Sequence, residues 1–177
     1  MNKKLFLDIY NFGNKNARNL LEAANILCSK SHYTQAYVLG FTALEEISKS
    51  QFAADVFTGL RTEEEFAKFY RAHREKIANV GWAHYDATIY PHKYKWIGPD
   101  MEDVEEMNPE EPLFSKRQAA LYVDVDFAEG KISQPLDVIT EKDARGIIHI
   151  VEVAFERIWE VTGEFGGMQI GTKGFMK

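Results

Sequence analysis

Along this chain, apolar residues recur at the three- and four-residue spacing of a single helix face in four segments. The first covers Lys15 to Lys30, with Ala17, Leu20, Leu21, Ala24, Leu27 and Cys28 on one stripe behind a capping residue at Asn14. Ser31 and His32 end it. The second covers Thr34 to Phe57 and stops at Gly59, the residue best suited to the left-handed turn that closes a helix. Its apolar positions spread over much of the circumference, which predicts a central helix. The third opens on Thr62 and Glu65, a pair that satisfies two orphan amide donors. It carries Phe66, Phe69, Tyr70, Ile77 and Val80, with His73 on the same stripe and His84 too if the helix continues. The fourth opens on Thr140 and Asp143 and runs through Ala144, Ile147, Ile148, Val151, Phe155, Ile158 and Trp159 to a stop at Gly163.

Between the third and fourth segments the periodicity fails. Pro91, Pro99, Pro109 and Pro112, with Tyr90, Tyr94 and Trp96 among them, predict a long loop. Ala120 to Phe127 alternates as a short strand, and Glu129-Gly130 would turn it, so an extended arm or short hairpin is expected over residues 118–134. A connection this long in one domain is usually functional or partly disordered. The segment from Gly163 has five glycines in fifteen residues, and a mobile tail is expected there. There is no internal repeat, and 177 residues suit one domain. The expected fold is all-α: four main helices with an arm or hairpin inserted.

Composition changes this picture little. No apolar run reaches the roughly 20 residues of a membrane helix; Gly146 to Phe155 is interrupted by His149 and Glu152, and Asp8 stops the apolar run near the N-terminus. The single cysteine, Cys28, cannot form an internal disulfide, so a cytoplasmic protein is expected. The net charge is −6, from 21 basic and 27 acidic residues. Seven of those carboxylates lie between Asp100 and Glu111, however, and without that segment the net charge is +1. The body of the chain is near neutral and leaves room for local basic patches.

Three stretches carry candidate chemistry. On the second helix Glu46 shares the row Leu39, Ala43, Ser50, Ala53 and Phe57, which places a carboxylate toward the interior, where it needs a partner. Glu45 and Lys49 are four apart and read as a surface pair. On the third helix Arg71, His73, Arg74 and Lys76 gather cationic groups. If the second and third helices are antiparallel neighbours, Glu46 and His73 meet, either as a structural link or as a carboxylate holding a histidine base in one tautomer. On the fourth, Arg145 and His149 share a face with Glu152 and Glu156. That is either a solvated strip or an Arg–His pair able to stabilise charge and move a proton in RNA cleavage. No glycine-rich phosphate loop opens a helix, and no zinc pattern, serine-nucleophile turn or Glu-x-x-His di-iron pair occurs, so no cofactor or metal is expected.

As an ordered set these features resemble the abortive infection protein AbiV family. The resemblance is carried by Asn16-Ala17 and Leu20-Leu21, then Tyr33-x-x-Ala36-Tyr37 leading into Ala43-Leu44-Glu45-Glu46-x-x-Lys49. It continues through His73-x-x-Lys76, Lys116-Arg117-x-x-x-Leu121-Tyr122-Val123-Asp124, Pro135 and Ile139-Thr140, spanning about residues 14 to 160. No single motif is diagnostic. The family is placed in the HEPN superfamily, whose members are helical, usually dimeric and often ribonucleases of phage defence. The resemblance implies metal-independent RNA cleavage at a composite site across a homodimer, using an Arg and a His a few residues apart on one helix. Here the sequence departs from that pattern. Arg145 and His149 have three residues between them and Arg71 and His73 have one, both too close. Either Arg145 and His149 serve at tighter spacing, or a cluster of Glu46, Lys49, His73 and Lys76 replaces the pair, or the protein has no nuclease activity. The leading expectation is an antiphage ribonuclease acting on RNA or the ribosome, with Lys49, Arg71, Lys76 and Arg117 as RNA contacts. The alternative is a non-catalytic helical dimer that binds a phage protein, as trigger or inhibitor, or part of the translation machinery, through the acidic, aromatic loop from Tyr90 to Pro112.

Overall fold

The computed structural model describes residues 2–80 and 110–162. The expected loop around Tyr90, Tyr94 and Trp96, most of the acidic run, His84 and the glycine-rich end lie outside the described residues. Seven helices and one hairpin follow in order: α1 (Lys3–Ser29), α2 (Tyr33–Thr58), α3 (Glu63–Phe69), α4 (His73–Asn79), α5 (Glu110–Leu121), β1 (Asp124–Asp126), β2 (Lys131–Ser133), α6 (Pro135–Val138) and α7 (Glu141–Thr162). The architecture is an all-α bundle with a small antiparallel hairpin, as the periodicity predicts. No helix among the described residues is long and apolar enough to cross a membrane.

Helix α2 is the axis. Its buried residues, from Thr34 and Ala36 through Tyr37, Phe41, Leu44 and Ile47 to Phe52 and Val56, face every direction around it. It ends at Gly59, which takes the left-handed conformation (φ 87°) and donates its N–H back into the last turn. Helix α1 returns along α2 after a three-residue turn in which Ser31 adopts φ 63°. The two run antiparallel: Gly13 lies against Ser50, and Ala24 and Ala36 share one buried cluster. Helix α7 runs parallel to α2, with Gly40 packed on Ile147 and Ala36 near Ala144. The remaining side of α2 is taken by α4 and α5, tied by the Tyr37 hydroxyl donating to the Leu113 carbonyl at 3.2 Å.

The structure corrects three expected boundaries. Helix α1 begins not at Lys15 but twelve residues earlier, where the Asn2 side chain accepts from the Leu5 N–H at 3.3 Å. Asn14 is no cap; it lies mid-helix and accepts from the Ser50 hydroxyl at 3.0 Å. Gly13 is there for proximity, since a Cβ on it would lie 3.0 Å from the Ser50 Cβ.

The expected third helix is two. It breaks at Tyr70–Ala72, without glycine or proline, because its apolar residues serve two separate clusters. Phe66 and Phe69 join Phe6 and Phe52, whereas Ile77 and Val80 join the main core with Phe41 and Leu44.

The expected strand from Ala120 starts late. Ala120 and Leu121 end α5, and the hairpin pairs Asp124 with Ser133, Val125 with Ile132 and Asp126 with Lys131. Pro112, expected in the loop, sits in the first turn of α5, where a missing N–H costs no helix bond.

Helices α2 and α7 approach closely at Gly40. A Cβ at Gly40 would lie 2.8 Å from Cγ2 of Ile147, a side chain only 1% exposed. Gly40→Ala should therefore lower stability by about 1–3 kcal/mol in urea unfolding, the usual range for overpacking. Combined with Ile147→Ala it should cost less than the two changes summed. Strict additivity would mean the two helices do not meet at Gly40.

Candidate functional site

The fold brings one polar cluster into the seam between α2, α4 and α5. Its centre is Glu45, a carboxylate on α2 that is 7% exposed. Little of it is open to water, so protein donors must stabilise the charge. His73, the first residue of α4, bonds through Nδ1 to Oε1 of Glu45. An ionised carboxylate only accepts, so Nδ1 carries the proton of this bond, and the neutral tautomer that makes it has its lone pair on Nε2. The His73 side chain is 47% exposed, which turns the ring toward solvent while its carboxylate stays buried.

Cations surround this pair. One turn into α4, Lys76 is 8% exposed. Burial holds its ammonium below the ordinary 10.5; Glu45 and Glu46 pull it back up, and Lys49 and Arg117 push it further down. Lys49 pairs with Glu46 on the same helix, both partly buried. The Tyr70 ring has the Lys49 ammonium 5.6 Å from its centroid and the Lys76 ammonium 5.7 Å away. Arg117 of α5 sits with its guanidinium 5.6 Å from the Phe41 ring centroid. Its Nε is buried with no hydrogen-bond acceptor among the described residues. Two carboxylates thus face two lysines, an arginine and a histidine, an arrangement suited to an anion beside a proton acceptor.

Two of the expected partnerships exchange. Glu45, not Glu46, meets His73, and Glu46, not Glu45, pairs with Lys49. The expected row through Glu46 and the row Phe41, Glu45, Ser48, Phe52 are about equally apolar in the sequence. On a helix buried on all sides, periodicity does not choose between them. Tyr70, expected in the core, is 51% exposed and roofs the two lysines. Neither Glu45 nor Tyr70 was selected by the sequence as a site residue; the signal for Glu45 was its place between Phe41 and Phe52. Lys49, His73, Lys76 and Arg117 do come together. Arg71 is exposed in the break between α3 and α4.

Arg145 and His149 do not form a common polar strip. Arg145 is exposed and its Nε donates to Glu141 Oε1 at 2.7 Å, near the Tyr33 end of α2. His149 is 6% exposed, with Nδ1 3.8 Å from Glu152. Tyr33 and Glu45 are twelve residues apart on α2, so that end of the helix is about 18 Å from the Glu45 cluster. Among the described residues, no group of three His, Cys, Asp or Glu is placed to hold a metal ion.

Comparison with known proteins gives one match. The HEPN-class family model described as AbiV matches residues 6–156, a span that runs from α1 into the last turns of α7 and includes the whole cluster. No curated protein and no solved structure matches the chain.

The lowered Lys76 pKa has a sign that unfolding can read. The unfolded chain keeps its lysine proton up to 10.5 and the folded chain releases it earlier, so between those values the unfolded state binds more protons and stability rises with pH. In urea titrations, the wild type should gain stability relative to Lys76→Met as the pH approaches 10.5. A difference independent of pH would mean the ammonium is solvated.

Proposed function

Since the chain belongs to the AbiV family of HEPN-class abortive-infection proteins, we propose that it is an antiphage ribonuclease whose chemistry lies at the Glu45–His73 cluster. The observation that carries this is the exposed imidazole held through Nδ1 by a buried carboxylate and ringed by Lys49, Lys76 and Arg117. In RNA cleavage the 2′-oxygen bonds to phosphorus as the bond to the 5′-oxygen breaks. His73 Nε2 is the group that takes the 2′-hydroxyl proton, with Glu45 fixing the tautomer and steadying the imidazolium that forms. The cations offset charge on the phosphorane, with the buried Nε–H of Arg117 supplying a donor. Lys76, its proton loosened by burial, is the natural acid for the departing 5′-oxygen. No step in this scheme needs a metal. Cleavage of host or ribosomal RNA would arrest translation, the outcome expected of abortive infection.

The proposal includes a homodimer. On α1, Leu5, Phe12 and Ile26 are exposed at 49%, 68% and 56%. They fall at multiples of seven residues, which sets them on one helix face with Asn19 between them. A stripe of this kind suits pairing with the same helix of a second copy.

Two experiments test these points. With total RNA and ribosomes in EDTA, His73→Ala should lose about 10²–10⁴-fold of the cleavage rate, the usual share of a general base. Glu45→Gln should lose less, and Arg145→Ala should keep the activity. Full cleavage by folded His73→Ala, or loss confined to Arg145→Ala and His149→Ala, would move the site to α7. In sedimentation, Phe12→Asp should convert a dimer to a monomer; an unchanged dimer would place the interface elsewhere.

A further inference from the structure

Next to the cluster lies a cavity that the cleavage scheme does not use. It has a volume of about 430 Å³, and its walls include Arg74, Phe114, Gln118, Tyr122, Val123 and Asp124. Arg74 directly follows His73 on α4, and Gln118 directly follows Arg117 on α5. One step along a helix moves the side chain about a quarter-turn around it, over Cα atoms about 3.8 Å apart. The same two helices therefore show the cluster on one side and this cavity on the next.

The lining has the chemistry of a base pocket rather than a phosphate pocket. The Arg74 guanidinium lies over the Phe114 ring, 4.8 Å from its centroid. Tyr122 is 65% exposed and offers a second flat face. Aromatic and guanidinium planes of this kind are what an unstacked nucleobase lies on. At the rim, Gln118 brings an amide and Asp124 a carboxylate. One Asp124 oxygen accepts from the Val125 N–H at 2.9 Å, which leaves lone pairs for a ligand. A carboxylate repels the RNA backbone and only accepts hydrogen bonds. It therefore favours a base that shows adjacent N–H donors. Guanine alone among the four has that edge, with N1–H and N2–H side by side and O6 next to them for the Gln118 N–H. Adenine and cytosine show one amino donor beside an acceptor, and uracil one imide donor between two acceptors.

We propose that this cavity is a guanine-binding subsite beside the scissile phosphate, in which Asp124 accepts from N1–H and N2–H, Gln118 donates to O6, and Tyr122 and Arg74 hold the base plane. The proposal rests on reading the Glu45–His73 cluster as a site of RNA cleavage, and it adds sequence preference to that site.

The test uses 2′-O-methyl oligonucleotides, which lack the attacking hydroxyl, so binding is read apart from cleavage. Fluorescence anisotropy would compare an all-uridine oligomer with the same oligomer carrying one central guanosine. The full-length protein should bind the second about tenfold more tightly, a typical value for one bidentate base contact. Asp124→Asn should remove that preference without weakening all-uridine binding, because the cations set the latter. Gln118→Ala should reduce the preference in part. Equal affinity for both oligomers, or a preference that survives Asp124→Asn, overturns the subsite. The two readings fail separately. A guanine preference in a protein that leaves unmodified RNA intact keeps the subsite and removes the cleavage. Cleavage lost in His73→Ala but indifferent to sequence keeps the nuclease and removes the subsite.

Discussion

A carboxylate in the middle of a helix buried on all sides is the constraint around which this protein is arranged. Glu45 sits between Phe41 and Phe52 on α2, almost wholly buried. An unpaired charge there would cost several kcal/mol. The structure offsets that cost by bringing α4 across α2 so that its first residue, His73, bonds the carboxylate. Lys76 then arrives one turn later and Arg117 from α5. Each added cation also needs a counter-charge or a ring, which accounts for Glu46 beside Lys49 and for Tyr70 between the two lysines. The cluster thus sits on the side of α2 that α4 and α5 cover.

The backbone makes room for it by close approach elsewhere. Gly13 lets α1 lie against Ser50, and Gly40 lets the Ile147 side chain of α7 lie against α2. With two neighbours seated so near, the third side of α2 stays open to a short helix. A continuous helix over residues 63–79 could not fill that space, because Phe66 and Phe69 belong to the aromatic cluster at the far end of α2. The break at Tyr70–Ala72 separates the two duties. α3 anchors at the end of the bundle, and α4 turns its polar edge to Glu45.

On the functional reading proposed above, this arrangement explains why the Arg–His spacing typical of HEPN ribonucleases is missing. Arg145 is engaged with Glu141, and His149 is enclosed in the core face of α7. The cluster on α2, α4 and α5 offers instead a histidine held by a carboxylate, the buried Nε–H of an arginine and extra positive charge, from side chains that are distant in sequence. Composite chemistry of this kind places its parts by packing rather than by a local motif.

What the sequence determined by itself is what local physics encodes. Capping pairs at Thr62–Glu65 and Thr140–Asp143, the glycine stop at Gly59 and the apolar stripes of α1 and α7 depend on neighbours a few residues away, and each appears in the fold where the spacing puts it. The ordered residues of the AbiV family were legible in the same way, as were Lys49, His73, Lys76 and Arg117 as chemically rich positions. The tertiary structure decided the pairings. Which of Glu45 and Glu46 faces inward depends on a helix phase that a uniformly buried helix does not reveal. The start of α1 at Lys3 depends on α2 receiving Gly13, and the break at Tyr70 depends on two clusters pulling one apolar stripe apart. Arg145 and His149, neighbours on one helix face, were separated because α7 buries one and leaves the other in water. These are long-range choices, made by which surfaces meet, and no local window contains them.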